Sequence, residues 1–139
     1  MKNFCNWLGN CSPRLLSILR IVTAFLFMQH GGMKLLGFPA PFPMGEVNLF
    51  SLIGLAGVLE LAGGFLLLIG LFTRPVAFIL SGEMAVAYFM AHAPHGFWPV
   101  LNGGEAAVLY CFVFLYLAAA GGGEWSVGRM CCQRKKPAT

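Results

Sequence analysis

Hydrophobic positions along this chain gather into four long runs rather than into the short stripes of a soluble helix. The longest uninterrupted run, Phe50 to Phe72, is 23 residues with one charged side chain, Glu60, near its middle. As a helix it is about 34 Å long, enough to cross a bilayer core of about 30 Å. Three other runs read the same way: Arg14 to about Leu36, Pro75 to about Ala93, and Glu105 to Ala120. Arg20, His30 and Lys34 interrupt the first, and Lys34 is expected to snorkel to the surface. Glu83 interrupts the third. Residues 37–49 hold three prolines in five positions and read as a loop. Thr73-Arg74-Pro75 is so short that the second and third runs must be antiparallel neighbours. Gly121-Gly122-Gly123 ends the fourth run.

The pattern predicts an all-α fold, a polytopic membrane four-helix bundle. Residues 1–13 form an N-terminal interfacial segment, 14–123 the four-span domain, and 124–139 a basic tail, whose stretch 129–139 is expected to be disordered. Composition agrees, with 58% hydrophobic and only 10% charged residues where an average globular chain has about 25% charged. The net charge of +4 raises nucleic acid as a partner, but its distribution excludes it. Seven of nine basic residues (Lys2, Arg14, Arg74, Arg129, Arg134, Lys135, Lys136) flank the runs, with no basic stripe interleaved with aromatics. Both termini and the Arg74 turn carry those seven, so both termini are expected in the cytoplasm. The first run is long, carries Arg20 and lacks a small-residue cleavage pattern, so it reads as a span rather than a cleaved signal. Of five cysteines, Cys5, Cys11, Cys131 and Cys132 fall on the cytoplasmic side and Cys111 in the fourth run; no C-x-x-C motif joins them.

Charges at membrane depth are costly and therefore paired or functional. Ala56, Gly57, Gly63 and Gly64 surround Glu60 on its helix, and such a small-residue face packs closely on another helix, so Glu60 points inward. Counting from the cytoplasmic ends puts Arg20 level with Glu83, and Glu60 about a turn higher. If Arg20 pairs with one carboxylate, the other lacks a cation and is expected to stay protonated. The three groups either cross-link the bundle or form a pocket for a proton-coupled or head-group-bearing ligand. A second set lies toward the opposite side: His30 and Lys34, which share a face, with His92 and Glu105, which can meet Lys34 or His30. Their spacing, with His95, matches no standard metal motif. No nucleophile–base pair, phosphate loop or haem-type histidine pair is present in the sequence.

Three motifs, in order, resemble one known family. His30-Gly31-Gly32-Met33-Lys34-Leu35 is similar to the HG-x-x-KL signature of the DoxX family. Glu60-Leu61-Ala62-Gly63-Gly64 through Gly70-Leu71-Phe72-Thr73-Arg74 resembles its E-x-x-GG…GL-x-TR segment, and Asn102-Gly103-Gly104-Glu105 its NGGE element. The likeness covers about residues 14–123. It implies a four-span protein of the bacterial inner membrane, a redox-associated subunit that contacts quinone. Relatives in the family include a quinone-reducing subunit of thiosulfate oxidation and membrane partners of thiol or oxidative-stress complexes. On that reading His30, Lys34, Glu60, Glu83, Asn102 and Glu105 are candidate ligand-binding residues and Arg20 and Arg74 countercharges. No metal is expected. The partner is a redox subunit or a second copy of the chain. A non-catalytic scaffold or assembly factor and a small proton-coupled carrier are the alternatives.

Overall fold

The computed structural model describes residues 2–133. All its regular elements are helices: α1 (Lys2–Leu36), α2 (Leu52–Ile69), α3 (Thr73–His95), α4 (Pro99–Asn102), α5 (Glu105–Ala120) and α6 (Val127–Gln133). The all-helical expectation is met. Three stretches are long and apolar enough to cross a membrane: Gly9–Leu36, Leu52–Ile69 and Thr73–His95. The fourth, Glu105–Ala120, has 16 residues, about 24 Å of helix.

The four long helices pack up-down. Antiparallel α1 and α2 meet along a seam where Gly31 faces Gly57 and Leu61, and Gly64 faces Met28 and Ala24. The pair α3 and α5 forms the second extensive interface beside that of α1 and α2. Ser81 Oγ donates to Cys111 O at 2.8 Å midway along it. Phe27 of α1 closes the ring against α5, edge-on to Phe114 (4.8 Å) and tilted against Tyr110 (5.1 Å). Ala24, Phe27, Leu67, Ala77, Leu80, Phe114 and Leu117 are at most 1% exposed and form the core. Outside this narrow centre large apolar side chains such as Phe65, Phe78 and Phe112 are exposed. That inside-out distribution suits lipid rather than water around the bundle.

The two ends of the bundle differ in their connections. On one, here called the loop side, α1 leads into residues 37–51 and α3 into residues 96–104. Ser51 caps α2 there, its Oγ accepting from Gly54 N at 3.1 Å. On the other, the tail side, α2 turns into α3 within three residues. Gly70 at φ 72° and Phe72 at φ 49° make that reversal, and a left-handed residue is cheapest as glycine.

Two expected boundaries differ from the structure. α1 runs unbroken through Pro13, so residues 2–13 extend the first helix rather than lying apart. Pro13 gives up its own N–H, but its carbonyl is used twice, by Ser17 Oγ (3.0 Å) and by Glu124 N (3.1 Å). The tail expected to be disordered is ordered at its start. Trp125 N donates to Ser17 Oγ at 3.0 Å, Gly128 N to Gly70 O at 3.1 Å, and α6 follows. Residues 134–139, with Arg134, Lys135 and Lys136, lie outside the described residues, as do the side chains of Cys5, Cys131 and Cys132. Cys11 and Cys111 are free thiols.

Candidate functional site

Glu60 sits where α2 departs from regular geometry. Residues Leu59–Gly63 form a single π turn between two α-helical halves, a device frequent at functional sites. The turn lies on the face that crosses α1, and Gly31 makes that crossing possible. A Cβ at position 31 would stand 2.6 Å from Leu61 N and 2.8 Å from Gly57 O. The backbones touch, and the next turn of α1 brings Lys34 over Glu60. Lys34 Nζ donates to Glu60 Oε1 at 2.6 Å, with side-chain exposures of 16% and 4%.

Glu83 faces this pair from α3, within electrostatic reach of both Glu60 and Lys34. His30 of α1 and Tyr110 of α5 complete the surroundings: each is close enough to act on Glu60, and their rings meet at 5.9 Å. Glu60 Oε2 and both oxygens of Glu83 are buried without a hydrogen-bond partner. Such an unpaired polar atom costs about 1–3 kcal/mol, more when it carries charge. A second negative charge here would cost several kcal/mol, and Glu83 as the neutral acid avoids that. Lys34 has three N–H donors, one of them on Glu60. The site thus offers unused donors and unused acceptors side by side, in a setting otherwise apolar.

The inward direction of Glu60 matches expectation; several partner assignments do not. Lys34 does not snorkel outward but turns in to Glu60. Arg20 meets no carboxylate. It is fully buried on the tail side, its Nε donating to Gly122 O (2.9 Å), its Nη1 to Leu67 O and to Leu68 O (2.7 Å), and its Nη2 to Trp125 O (2.5 Å). Leu67 and Leu68 end α2, where carbonyls run short of helical donors; the Leu67 carbonyl also accepts from Gly70 N at 3.0 Å in the turn. The expected depth match with Glu83 fails because Arg20 is level with the Gly70 turn, at the bundle's end. Ten residues of α3 separate that turn from Glu83, about 15 Å. Arg74 does the same for α5, donating to Ala118 O (3.3 Å) and Ala119 O (2.6 Å). Both arginines cap helices.

The loop-side set also divides. Glu105 is exposed at the start of α5 and meets neither Lys34 nor His30 among the described residues. Asn102 organises its own turn, Nδ2 donating to Gly96 O and Oδ1 accepting from Gly104 N, both at 2.8 Å. His92 Nδ1 lies 3.1 Å from Asn102 O, and His95 Nδ1 3.1 Å from Ala91 O. Among the described residues no three His, Cys, Asp or Glu side chains gather as metal ligands. Tyr110 was not among the expected site residues. Its place one turn before Phe114, on the side of α5 that meets Phe27, sets it apart from the exposed Tyr116 of the same helix.

The family model for DoxX matches residues 15–93. The chain belongs to the DoxX family. The match takes in α1 to α3, with Arg20, Lys34, Glu60, Arg74 and Glu83, and stops before the Asn102–Glu105 turn. An uncharacterized protein of Haemophilus influenzae is 47% identical over 122 residues, covering 85% of this chain and 91% of that one. A second uncharacterized protein of the same organism is 30% identical over 135 residues, covering 88% and 87%. No solved structure matches the chain. Membership explains the apolar exterior: this is a DoxX-family membrane protein. The recognisable DoxX motifs have structural reasons here. The first glycine after His30 is the α1–α2 crossing, Lys34 and Glu60 are an ion pair, and Gly70 and Arg74 make the turn and the α5 cap.

Proposed function

We propose that this DoxX protein is a subunit of the bacterial inner membrane that holds the polar head of a quinone or quinol between its helices. Lys34, Glu60 and Glu83 form the binding site, with His30 and Tyr110 at its edge. One observation carries the reading: three buried carboxyl oxygens stand unpartnered beside a lysine with N–H groups to spare. A purely structural ion pair needs no such surplus, whereas a ligand bearing carbonyl or hydroxyl groups uses both kinds. All four long helices span the bilayer in this reading, α5 with the help of the 96–104 turn, and both termini face the cytoplasm. That orientation follows the seven basic residues at the termini and the Arg74 turn. The chain carries no redox cofactor motif, so electrons pass to or from a partner, a redox subunit that docks on the membrane part.

Mass spectrometry of protein purified in mild detergent tests the binding. Wild type should carry quinone, and Glu60→Ala should lose it. If wild type carries none, the reading fails and a scaffold role takes its place. A scaffold predicts that Glu60→Gln lowers the amount of folded protein while what survives still retains its partner.

A further inference from the structure

The buried cluster is closed toward one end of the bundle and open toward the other. Below Glu83 and Glu60, toward the tail side, the next two helical turns are Leu80 and Ala77 of α3, Leu67 of α2, Phe27 and Ala24 of α1, and Phe114 of α5. Each is at most 1% exposed. This apolar plug is about two turns deep, roughly 10 Å. Arg20 lies beyond it, with four backbone carbonyls as its acceptors. Toward the loop side there is no such plug. A cleft of about 430 Å³ lies between the end of α1 and residues 37–47, and Lys34 lines it together with Met33, Phe42 and Glu46. Lys34 is therefore shared: its ammonium touches Glu60 inside, and the same side chain belongs to the lining of the cleft.

We propose that Glu83, Glu60 and Lys34 form a proton-exchange site that communicates with water on the loop side only. Glu83 holds the exchangeable proton, facing Glu60 from α2 and Lys34 from α1, while His30 of α1 and Tyr110 of α5 lie within reach of Glu60. The proton leaves its carboxyl for Glu60, and Lys34 passes a proton to water in the cleft as it takes up the one from Glu60. Outward transfer restores the Lys34–Glu60 pair but leaves Glu83 ionised, one negative charge more than before, so that state is short-lived. A proton returning from the cleft by the same steps restores the acid, and only the completed exchange is charge-neutral. In the opposite direction the hydroxyl nearest Glu83 on α3, Ser81 Oγ, is engaged with Cys111 O at 2.8 Å, and the buried apolar side chains of the plug separate it from Arg20. A ligand bound at the cluster would exchange protons with the same face of the membrane. The inference uses the side chains of the proposed head-group site but needs no ligand.

Thiol labelling reads the sidedness. In the full chain with its five cysteines replaced by alanine, Glu83→Cys, Leu80→Cys and Glu46→Cys are placed one at a time and membrane vesicles of either orientation are treated with a charged, impermeant reagent. Glu46→Cys marks the loop side. Glu83→Cys should react from that side alone, and Leu80→Cys from neither. Reaction of Glu83→Cys from the tail side, or from neither side, overturns the proposal. Infrared spectroscopy of the unsubstituted chain supplies the second reading. A protonated carboxylic acid band should be present, vanish in Glu83→Gln, and shift on transfer to deuterated water. Lys34→Met should slow that shift about a hundredfold, as for loss of a proton-transfer group. An absent band, or an unchanged rate, overturns the route. Absence of co-purified quinone leaves this inference standing, and two-sided labelling leaves the head-group site standing.

Discussion

Two buried cationic residues sit on the same helix, four turns apart, in opposite situations. Arg20 and its acceptors form a closed account: every polar contact is to backbone, and the acceptors are carbonyls that a helix end or a glycine turn leaves over. Lys34 and its acceptors remain open, with one hydrogen bond made and three carboxyl oxygens unpartnered nearby. Burial alone therefore does not distinguish a functional charge from a structural one. What distinguishes them is whether the surroundings satisfy the group completely. By that measure the tail end is a clamp, and the Lys34–Glu60–Glu83 cluster is what the proposed reading assigns to a ligand.

The largest effect should come from breaking the clamp. Arg20→Ala takes the guanidinium away from the carbonyls of Leu67, Leu68, Gly122 and Trp125 and should cost about 3–5 kcal/mol, seen as a collapse in folded yield in detergent. Arg20→Lys should rescue little of it, since an ammonium cannot reproduce the planar fork. Next in size, Gly31→Leu drives a side chain into the backbone of Leu61 and Gly57 and should cost about 1–3 kcal/mol. It should also part Lys34 from Glu60, so thermal unfolding and ligand retention fall together. Glu83→Gln tests the opposite end. It should change stability by less than about 1 kcal/mol, because the amide adds donors where acceptors are in surplus, while bound ligand is lost. A large loss of stability in that variant would make the cluster a second clamp. Smallest of all, Glu124→Gln removes an exposed ion pair with Arg14, 3.1 Å apart and with side chains 61% and 40% exposed. It should cost at most about 1 kcal/mol, a difference that salt erases.

Much of the fold was legible in the sequence because lipid imposes simple lengths and periods. Glu60 could be aimed inward from its small neighbours alone. The partner of Arg20 could not be read. Its depth was counted from Arg14, whereas α1 begins at Lys2 and the turn at Gly70 lies level with Arg20. More basically, side-chain letters record carboxylates but not the surplus carbonyls at helix ends, and those were the acceptors. Lys34 was assigned outward on the general behaviour of lysines near helix ends, and the glycine crossing that turns it inward needs two helices to be seen. The π turn around Glu60 leaves no compositional trace at all. Glu105 and Asn102 look chemical in the sequence because they share a motif with two glycines, yet their positions serve a helix start and a turn.

That π turn has a further consequence. A regular helix advances each residue by about 100° around its axis, so the extra residue in Leu59–Gly63 works as a phase shifter. It lets Gly57 in the first half and Gly64 in the second both face α1 while the chain goes on to end at Gly70 beside the clamp. Removing one residue from the turn would not merely shorten the helix. It would slip the two halves out of phase by roughly a third of a revolution and carry the Glu60 carboxylate toward lipid. Length variation in this protein should therefore be tolerated in residues 37–49 and refused at this one turn.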